Sequence, residues 1–305
     1  MIGQAKKRLR PTKRLDLYCF GLVSAMVFIS MYGKSYQDVQ DKQNSMNKQN
    51  SMNTQNSMDI SKVVFDHRST AVKCKEPTDI GQAIKNYTKS QDAEDQILLY
   101  SFFKNLCNGV YLEMGALDGV QFSNSYLFNR GFGWKGVLIE LTPYNYNRLE
   151  VNRNNEIAVV HSGVCAEKQM VHYVEKKAVS GVWEFAAESF KKQWWPNLTI
   201  EDTTEVECLP LSDILAQNAP QTKFFDFFSL DIEGAELDAL LSLDYSQIQF
   251  GVLLVEADDY DERKNMAVKT FLESKGYKHL YNKARSDWFV NKNFHLLYEH
   301  VIHAA

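Results

Sequence analysis

The stretch that decides the fold is Val110–Gly119, with the sequence VYLEMGALDG. A short apolar run passes directly into a turn with two glycines, an order typical of a buried strand entering a strand-to-helix turn. In a doubly wound sheet the ligand lies at the carboxyl ends of the strands, where Gly115 and Gly119 leave room for it. The next apolar run ends at Glu140, about 20 residues further on, where an acid typically holds ribose hydroxyls. The sequence therefore predicts a nucleotide-like ligand, although turn glycines also occur for conformational reasons alone.

Outward from this turn, short apolar runs alternate with longer amphipathic segments from about Ser90 onward. This alternation is typical of one α/β domain in which crossover helices join a mostly parallel sheet. The predicted strands are Val110–Met114, Gly136–Ile139, Ala158–His161, Phe224–Leu230, Gly251–Val255, Tyr277–Tyr281 and Trp288–Val290. The predicted helices are Tyr144–Asn152, Leu211–Gln217, Ala235–Leu241 and Glu262–Ser274.

Several blocks of residues between Ser90 and Asn291 resemble the FkbM family of class I S-adenosylmethionine-dependent methyltransferases. The blocks, in chain order, are Ser90–Leu98, Tyr111–Gly119, Ser123-Asn124, Gly133–Glu140, Leu230–Glu236, Val255-Glu256 and Asp287–Val290. Agreement at separate blocks in the same order is a stronger signal than the glycines of one turn. The resemblance implies a Rossmann-like class I methyltransferase fold, with a mostly parallel seven-stranded sheet and helices on both faces.

The same resemblance implies S-adenosylmethionine as the cofactor and assigns residues to its parts. The methionine part would lie against the Val110–Gly119 turn, the ribose against Glu140, and the adenine against the segment Gly163–Ala166, which contains Cys165. The implied cofactor-binding residues are Glu113, Gly115, Asp118, Gly119, Asn124, Glu140, Cys165 and Asp231. Carboxylates are sensible neighbours of a cationic sulfonium, because Coulomb attraction favours them in a site partly shielded from water.

Two acids at the end of the fourth predicted strand are the predicted catalytic residues. By resemblance, Asp231 and Glu233 face the transferred methyl group and the acceptor. Methyl transfer to a hydroxyl needs in-line positioning and a group that takes the proton. An exposed helix start is the alternative for Asp231, Glu233 and Glu236, because acids near a helix N-terminus are favoured whatever the function. These three acids could also hold a hard cation, but nothing in the sequence requires a metal, and we predict none.

The N-terminal residues predict a membrane anchor. Residues 1–14 carry six basic side chains and no acid, and the uncharged apolar run Leu17–Tyr32 follows. A membrane span needs about 20 residues, or about 17 at the short end, and its basic flank stays in the cytoplasm. We therefore predict a cytoplasmic tail (1–14) and a transmembrane signal anchor (15–33). A cleaved signal peptide, whose apolar core has about 7–15 residues, is the alternative.

A polar repeat separates the predicted anchor from the predicted domain. The block Gln43–Asn47 (QNSMN) recurs with a period of six residues, without apolar periodicity. Such a segment cannot bury enough surface to offset its ordering entropy. We predict a flexible low-complexity stem over residues 34–72 and an FkbM-like domain over residues 73–305.

The remaining features favour a lumenal or extracellular domain. The triplets Asn86–Thr88 and Asn197–Thr199 match the N-glycosylation acceptor pattern. The cysteines beyond the anchor are even in number, so disulfides are one interpretation and buried thiols acting as small hydrophobes are the other. They are Cys74, Cys107, Cys165 and Cys208. The net charge of -4 and the pI of about 6.0 give no basic surface for nucleic acid, so we predict no nucleic-acid partner.

Two functions of different classes fit these features. The first is an S-adenosylmethionine-dependent O-methyltransferase that acts on a hydroxyl of a glycan, a lipid or a small molecule. Its location would be the ER, the Golgi or the cell surface, as a single-pass type II glycoprotein held in the membrane by residues 15–33. The second is a non-catalytic, membrane-tethered trafficking or binding protein of the animal Star-like type, which uses the same fold. Fold alone does not decide between them.

Overall fold

The computed structural model describes residues 68–75, 79–257 and 259–302 of the chain. The strands of this part, numbered in chain order, are β1 (Val72–Lys73), β2 (Leu106–Cys107), β3 (Val110–Met114), β4 (Lys135–Glu140), β5 (Ala158–His161), β6 (Gly163–Val164), β7 (Gln169–Val174), β8 (Gly181–Val182), β9 (Thr204–Leu209), β10 (Phe224–Leu230), β11 (Gln249–Glu256), β12 (Tyr277–Lys283) and β13 (Ser286–Asn291). The helices are α1 (Ile80–Tyr87), α2 (Glu94–Ser101), α3 (Tyr126–Phe132), α4 (Pro143–Asn152), α5 (Glu188–Trp194), α6 (Leu211–Asn218), α7 (Glu236–Leu241), α8 (Glu262–Ser274), α9 (Phe294–Leu297) and α10 (Glu299–Ile302). Short 3-10 helices lie at Lys177–Val179 and Ile200–Asp202.

The central sheet has seven strands in the order β12-β13-β11-β10-β3-β4-β5. Strands β5, β4, β3, β10 and β11 run parallel to one another, and β13 is antiparallel to both β11 and β12. The predicted mostly parallel seven-stranded sheet is therefore confirmed. The chain moves outward from β3 to β5 and returns to β10 on the other side of β3, so the strand order reverses between β3 and β10. Such a switch point opens a ligand crevice at the carboxyl ends of the strands.

Helices cover both faces of this sheet, as predicted. Successive side chains of a strand point to opposite faces, so Tyr111 and Leu112 of β3 enter two different cores. Leu112 packs in a cluster with residues of α6, α7 and α8, and Tyr111 packs in a cluster with residues of α1, α2, α3, α9 and α10. Every residue of β10 is buried, which is why its sequence is a continuous apolar run rather than an alternating one.

A second sheet has four short strands in the order β6-β9-β7-β8, and its strands lie in the chain between β5 and β10 of the central sheet. Its strands come from residues between β5 and α6, for which the sequence predicted no regular structure. A disulfide between Cys165 and Cys208 joins the end of β6 to β9, and Cys165 packs with Val171 and Val182 around it.

The cysteines beyond the predicted anchor form two disulfides. The second bond joins Cys74 to Cys107 and ties β1, at the start of the described chain, to β2. The Cα atoms of the two pairs are 5.1 and 5.7 Å apart, within the range usual for disulfides. The disulfide interpretation of these cysteines is therefore confirmed, and that of buried free thiols is wrong.

The predicted cytoplasmic tail, signal anchor and QNSMN repeats lie outside the described residues. Within the described part of the chain, no helix combines the length and apolar character that crossing a bilayer would require. The last residues assigned to the stem pack against the domain. The Ser69 hydroxyl donates to the buried carboxylate of Asp226, and the backbone of Val72 pairs with Cys107.

Candidate functional site

A cleft of about 830 Å³ lies at the carboxyl ends of β3, β4 and β10, at the switch point of the sheet. This volume is within the range of small-molecule and cofactor sites. Acids, polar groups and a few aromatic side chains line it. Its lining includes Glu113, Gly115, Leu117, Phe122, Asn124, Glu140, Thr142, Gly163, Val164, Trp194, Asp231, Glu233, Tyr260 and Arg285.

The cleft brings together two-thirds of the residues that the sequence assigned to the site. Six of the nine predicted residues are on its lining: Glu113, Gly115, Asn124, Glu140, Asp231 and Glu233. Asp118, Gly119 and Cys165 are not on the lining. Each of them contacts neighbouring parts of the protein instead.

Glu113, at the end of β3, holds the loop that follows the glycine turn. Its buried carboxylate accepts hydrogen bonds from the Asn124 backbone N–H at 2.7 Å, the Ser123 hydroxyl at 2.9 Å and the Ser125 hydroxyl. Burial raises the pKa of Glu113, and the positive charge of Arg153 opposes that shift. Glu113 thereby fixes residues 123–125 and presents the Asn124 side chain to the cleft.

Gly115 and Gly119 are required by close packing within the protein. Both have φ of +74°, a conformation that side chains other than glycine adopt at a cost. A Cβ on Gly115 would overlap the carbonyl oxygen of Asp231, where β3 meets β10. A Cβ on Gly119 would lie 2.5 Å from Leu149 and Arg153, where the turn meets the end of α4. Gly115 lines the cleft, whereas Gly119 lies behind it, so the predicted contact of Gly119 with a ligand is not supported by its position.

Asp118 shapes the turn. One carboxylate oxygen accepts hydrogen bonds from the backbone N–H groups of Val120 and Gln121, at 3.0 and 2.8 Å. The other oxygen forms an ion pair with Arg148 of α4 at 2.8 Å. Its side chain is thus committed to the turn and to α4, and it is absent from the cleft lining formed by the described residues.

Glu140, at the end of β4, is held rigidly at the cleft. One oxygen accepts hydrogen bonds from the backbone N–H and the hydroxyl of Thr142, both at 2.8 Å, and the other accepts from the Leu117 N–H at 2.9 Å. Burial raises the pKa of Glu140, and the bonds from Thr142 oppose the shift. Asn145 also donates a side-chain hydrogen bond to Glu140, so donors of the protein fix this carboxylate where it lines the cleft.

Cys165 does not line the cleft. Its side chain is fully buried and its sulfur is bonded to Cys208. The preceding residues Gly163 and Val164 do line it. The predicted adenine segment therefore reaches the cleft through these two residues, and the assignment of Cys165 itself to the cofactor site is corrected.

Acids cluster where β10 and β11 end. One carboxylate oxygen from each of Asp231, Glu233 and Glu256 lies within 4.8 Å of the other two. Burial, followed by the charge of Asp231, holds the pKa of Glu256 well above its usual range. Burial also raises the pKa of Asp231. Arg285 forms an ion pair with Glu256 at 3.0 Å. Glu256 and Arg285 were not among the predicted site residues, because the cluster forms from three segments that are far apart along the chain.

Glu236 has a structural role that differs from that of the three clustered acids. It begins α7 and is fully buried, so the expected exposed helix start is wrong at this residue. It accepts hydrogen bonds from the N–H groups of Ile232 and Gly234, both at 3.1 Å, and pairs with Lys264 at 2.7 Å. Glu236 therefore fixes the turn that carries Asp231 and Glu233.

Four of the described non-glycine residues with left-handed backbone lie on the cleft lining. Leu117, Phe122, Glu233 and Arg285 have φ between 48 and 60°, and all four line the cleft. Non-glycine residues in this region cost free energy and persist where surrounding structure holds them, commonly at functional sites.

The sheet order, the switch point and the acid-lined cleft are consistent with a methyltransferase fold. Residues 113–279 match the family described as the Methyltransferase FkbM domain. This match covers more than half of the chain, and the chain therefore belongs to the FkbM family of class I S-adenosylmethionine-dependent methyltransferases. No curated protein matches the sequence.

Several solved structures resemble the chain with low identity. The methyltransferase FkbM from Methylobacillus flagellatus KT has 14% identity and a TM-score of 0.39, with 66% of this chain and 48% of that chain covered. The present chain thus spans about half the length of that protein. A SAM-dependent methyltransferase from Aquifex aeolicus has 14% identity and a TM-score of 0.31, with 77% and 97% covered. Human methyltransferase 10 domain containing protein has 10% identity and a TM-score of 0.30, with 73% and 86% covered.

Proposed function

We propose that the protein transfers a methyl group from S-adenosylmethionine to a hydroxyl of a glycan, a lipid or a small molecule. The observation that carries this proposal is the cleft at the switch point, in which Glu140, Asn124, Asp231 and Glu233 converge. Membership of the FkbM family supports the cofactor, and the acids support a cationic ligand with hydroxyl groups.

The cleft residues fit the parts of the cofactor. Glu140 lines the cleft where a ribose hydroxyl would lie, and its bonds from Leu117 and Thr142 fix its orientation. Gly163 and Val164 line the cleft and would lie beside the base. Asp231 and Glu233 supply negative charge near the sulfonium, which when bound provides an activated methyl group. Rigid support of this kind preorganises a site before the ligand arrives.

For a hydroxyl acceptor, one carboxylate must take the proton. The oxygen–methyl bond forms as the sulfur–methyl bond breaks, the bonding pair stays on sulfur, and the hydroxyl proton passes to a carboxylate. Asp231 suits this part because it directly follows β10 on the cleft lining, and because burial raises its pKa, which makes it a stronger base than an exposed carboxylate. Glu233 lines the same end of the cleft.

The acceptor would enter past an aromatic rim. Trp194 and Tyr260 line the cleft, and the Trp194 indole N–H donates to the Tyr260 hydroxyl at 2.9 Å. Aromatic faces bind apolar groups and combine an apolar body with a polar tip. This rim supports an acceptor that presents both apolar surface and hydroxyls, such as a sugar or a lipid-linked sugar.

We also propose that the domain lies on the lumenal or extracellular side of a membrane, as a type II glycoprotein. Its two disulfides support this, because such bonds persist in oxidising compartments. Asn86 and Asn197, the acceptor residues of the two sequons, are exposed. Digestion of the cell-expressed chain with an N-glycosidase should raise its mobility, and Asn86→Gln with Asn197→Gln should remove that change. An unmodified, fully reduced chain in cells would contradict the location.

Calorimetric titration of the purified full-length chain with S-adenosylmethionine tests the proposed activity. We expect one site per chain, and loss of most of the affinity in Glu140→Gln, with circular dichroism confirming a folded variant. Glu184→Gln is the matched control, because Glu184 is an exposed acid paired with His172 away from the cleft. Absence of binding to the folded wild type would refute the proposal and favour the non-catalytic tethered protein.

A further inference from the structure

We propose that Arg285 is a positioning residue of the cleft, which pairs with Glu256 from a strained turn and thereby keeps Asp231 charged beside the sulfonium. This inference rests on the proposed binding of S-adenosylmethionine and adds to that site a residue that acts through two acids. Arg285 lines both the cleft and a small neighbouring cavity of about 30 Å³, and Asp231 lines the same two spaces.

A two-residue turn places Arg285 at the cleft. The turn between β12 and β13 consists of Ala284 and Arg285 alone. Both residues have positive φ, 55 and 56°, a conformation for which hairpin turns favour asparagine and glycine. Other residues persist in this conformation where the surrounding structure holds them, commonly at functional sites. Here the Ala257 N–H holds the turn to the end of β11 by donating to the Arg285 carbonyl at 2.9 Å.

The Arg285 guanidinium reaches Glu256, which ends β11. Its Nη2 donates to Oε1 of Glu256 at 3.0 Å. The Glu256 side chain is 3% exposed, whereas the Arg285 side chain is 48% exposed. An arginine keeps its charge throughout the pH range in which proteins fold. The pair therefore places a permanent positive charge at the edge of a buried group of acids.

Glu256 connects this pair to Asp231. A side-chain hydrogen bond joins the two acids, and such a bond needs one proton between the two carboxyl groups. Burial, followed by the charge of Asp231, holds the pKa of Glu256 well above its usual range, so the proton belongs to Glu256. The buried Oε2 of Glu256 accepts no hydrogen bond from the described residues, which leaves this oxygen for the proton. Asp231 then accepts the bond and keeps its negative charge.

The charge of Arg285 also acts on Asp231 directly. It opposes the rise that burial causes in the pKa of Asp231, and Lys264 opposes that rise too. The other titratable groups that act on Asp231, Glu256 or Arg285, or that line the small cavity with them, are Asp92, Glu94, Glu233 and Glu236. All of these are acids, and Lys264 is paired with Glu236. Removal of Arg285 should therefore raise the pKa of Asp231 further.

The charge of Asp231 can be read from two ligands. S-adenosylhomocysteine, the product that remains after methyl transfer, differs from S-adenosylmethionine by loss of the methyl group and of the sulfonium charge. A charged Asp231 favours the cation by Coulomb attraction, so the ratio of the two affinities reports that charge and cancels the contacts that both ligands make. This preference is present above the pKa of Asp231 and is lost as pH falls through it.

The test is calorimetric titration of the full-length chain with both ligands over about pH 5–8. The wild-type preference for S-adenosylmethionine should fall toward low pH. In Arg285→Met the midpoint of that fall should lie about one pH unit higher, because a nearby positive charge lowers the pKa of a carboxyl by about 1–3 and Arg285 is half exposed. Arg285→Lys, which keeps the charge, should restore the wild-type midpoint.

Two further variants complete the test. Arg130→Met is the matched control and should keep the wild-type midpoint, because Arg130 is exposed and is absent from the cleft lining formed by the described residues. Asp231→Asn should remove the pH dependence of the preference. A dependence that persists in Asp231→Asn would assign it to another acid and would overturn the inference.

The midpoint decides the inference, and the size of the preference does not. Direct repulsion between Arg285 and the sulfonium would raise the preference in Arg285→Met at every pH and leave the midpoint unchanged, and that result would overturn the inference. A wild-type preference that does not vary with pH would overturn it as well. If Arg285→Met does not fold, Arg285→Gln takes its place. A folded wild type that binds neither ligand would instead refute the proposed function, and this inference with it.

Discussion

Replacing Arg153 by methionine should destabilise the glycine turn Gly115–Gly119, because the buried Arg153 side chain supports that turn. Arg153 follows α4 and its side chain is 0% exposed. Its guanidinium donates to the Gly119 carbonyl and the Tyr111 hydroxyl, both at 2.7 Å, and to the Ser125 hydroxyl at 2.9 Å. Ser125 in turn donates to Glu113. One buried cation therefore joins the glycine turn, the sheet and the loop that presents Asn124 to the cleft.

The expected loss of stability follows from the acids that Arg153 leaves behind. Glu156, whose side chain is 1% exposed, is paired with Arg153 at 2.8 Å. The charge of Arg153 also opposes the rise that burial causes in the pKa of Glu113. Removing one partner of a buried pair costs about 3–5 kcal/mol, because an uncompensated charge stays buried. About 2–4 °C of melting temperature per kcal/mol in a domain of this size converts this to about 6–20 °C.

The matched control is Arg148→Met, on the same helix. Arg148 pairs with Asp118 at 2.8 Å, but its side chain is 49% exposed, and exposed pairs contribute about 0–1 kcal/mol. Denaturant and thermal unfolding of the full-length chain measure both variants, and calorimetry with S-adenosylmethionine should show a larger loss of affinity for Arg153→Met. Equal destabilisation by the two substitutions, or a stable Arg153→Met, would refute the assigned role of the buried cation.

Three further predictions concern other parts of the domain. Replacing Cys165 and Cys208 by serine should lower the free energy of unfolding by about 4 kcal/mol, from the loop of 43 residues that the bond closes; denaturant curves that do not change on reduction of the wild type would contradict this. Gly115→Ala should abolish folding or S-adenosylmethionine binding, because the added Cβ would overlap the Asp231 carbonyl; a variant that folds and binds normally would show that the β3–β10 contact adjusts. Burial raises the pKa of Asp226, so the folded state holds its proton to higher pH than the unfolded state. Asp226 should therefore contribute stability that is lost as pH rises from about 3.9 through its raised pKa, and Asp226→Asn, followed by denaturant unfolding at each pH, should show a smaller fall than the wild type.

The centre of the sheet was largely predictable because its inner strands β3, β4, β10 and β11 are buried on both faces. The predicted strands Val110–Met114, Ala158–His161 and Phe224–Leu230 coincide with β3, β5 and β10, and the predicted helix Glu262–Ser274 coincides with α8. Continuous apolar runs bounded by glycines and acids leave few alternatives. Together with the family resemblance, this pattern placed Glu113, Asn124 and Glu140 at the right end of the sheet.

The second sheet could not be predicted in the same way. Its strands have between two and six residues, and two of them, β6 and β8, have only two. Such strands carry too little periodicity to be recognised, and they are held by the bond between Cys165 and Cys208, whose pairing depends on the folded chain. The same segment supplies Trp194 to the cleft, so the acceptor side of the site was the least predictable part.

The functions of individual acids also depended on the fold. Asp118 and Glu140 are both acids near glycines in the sequence, yet Asp118 turns toward Arg148 and Glu140 toward the cleft. Spacing along the chain cannot distinguish these directions, because they depend on which groups reach the turn from α4. Glu256 was missed for the converse reason: it becomes a neighbour of Asp231 only when β10 and β11 pair.

The cleft concentrates features that stability alone would not favour. Glu113, Glu140, Asp231 and Glu256 are acids whose pKa burial raises, so each costs free energy when it is ionised in the folded chain. Residues with strained backbone line the same space. Local rules are broken in natural proteins mainly where function requires it. A sulfonium is the kind of ligand that would offset this negative charge, and binding it to the folded state alone would stabilise the domain. The same electrostatic reasoning therefore links the proposed cofactor and the stability of the fold.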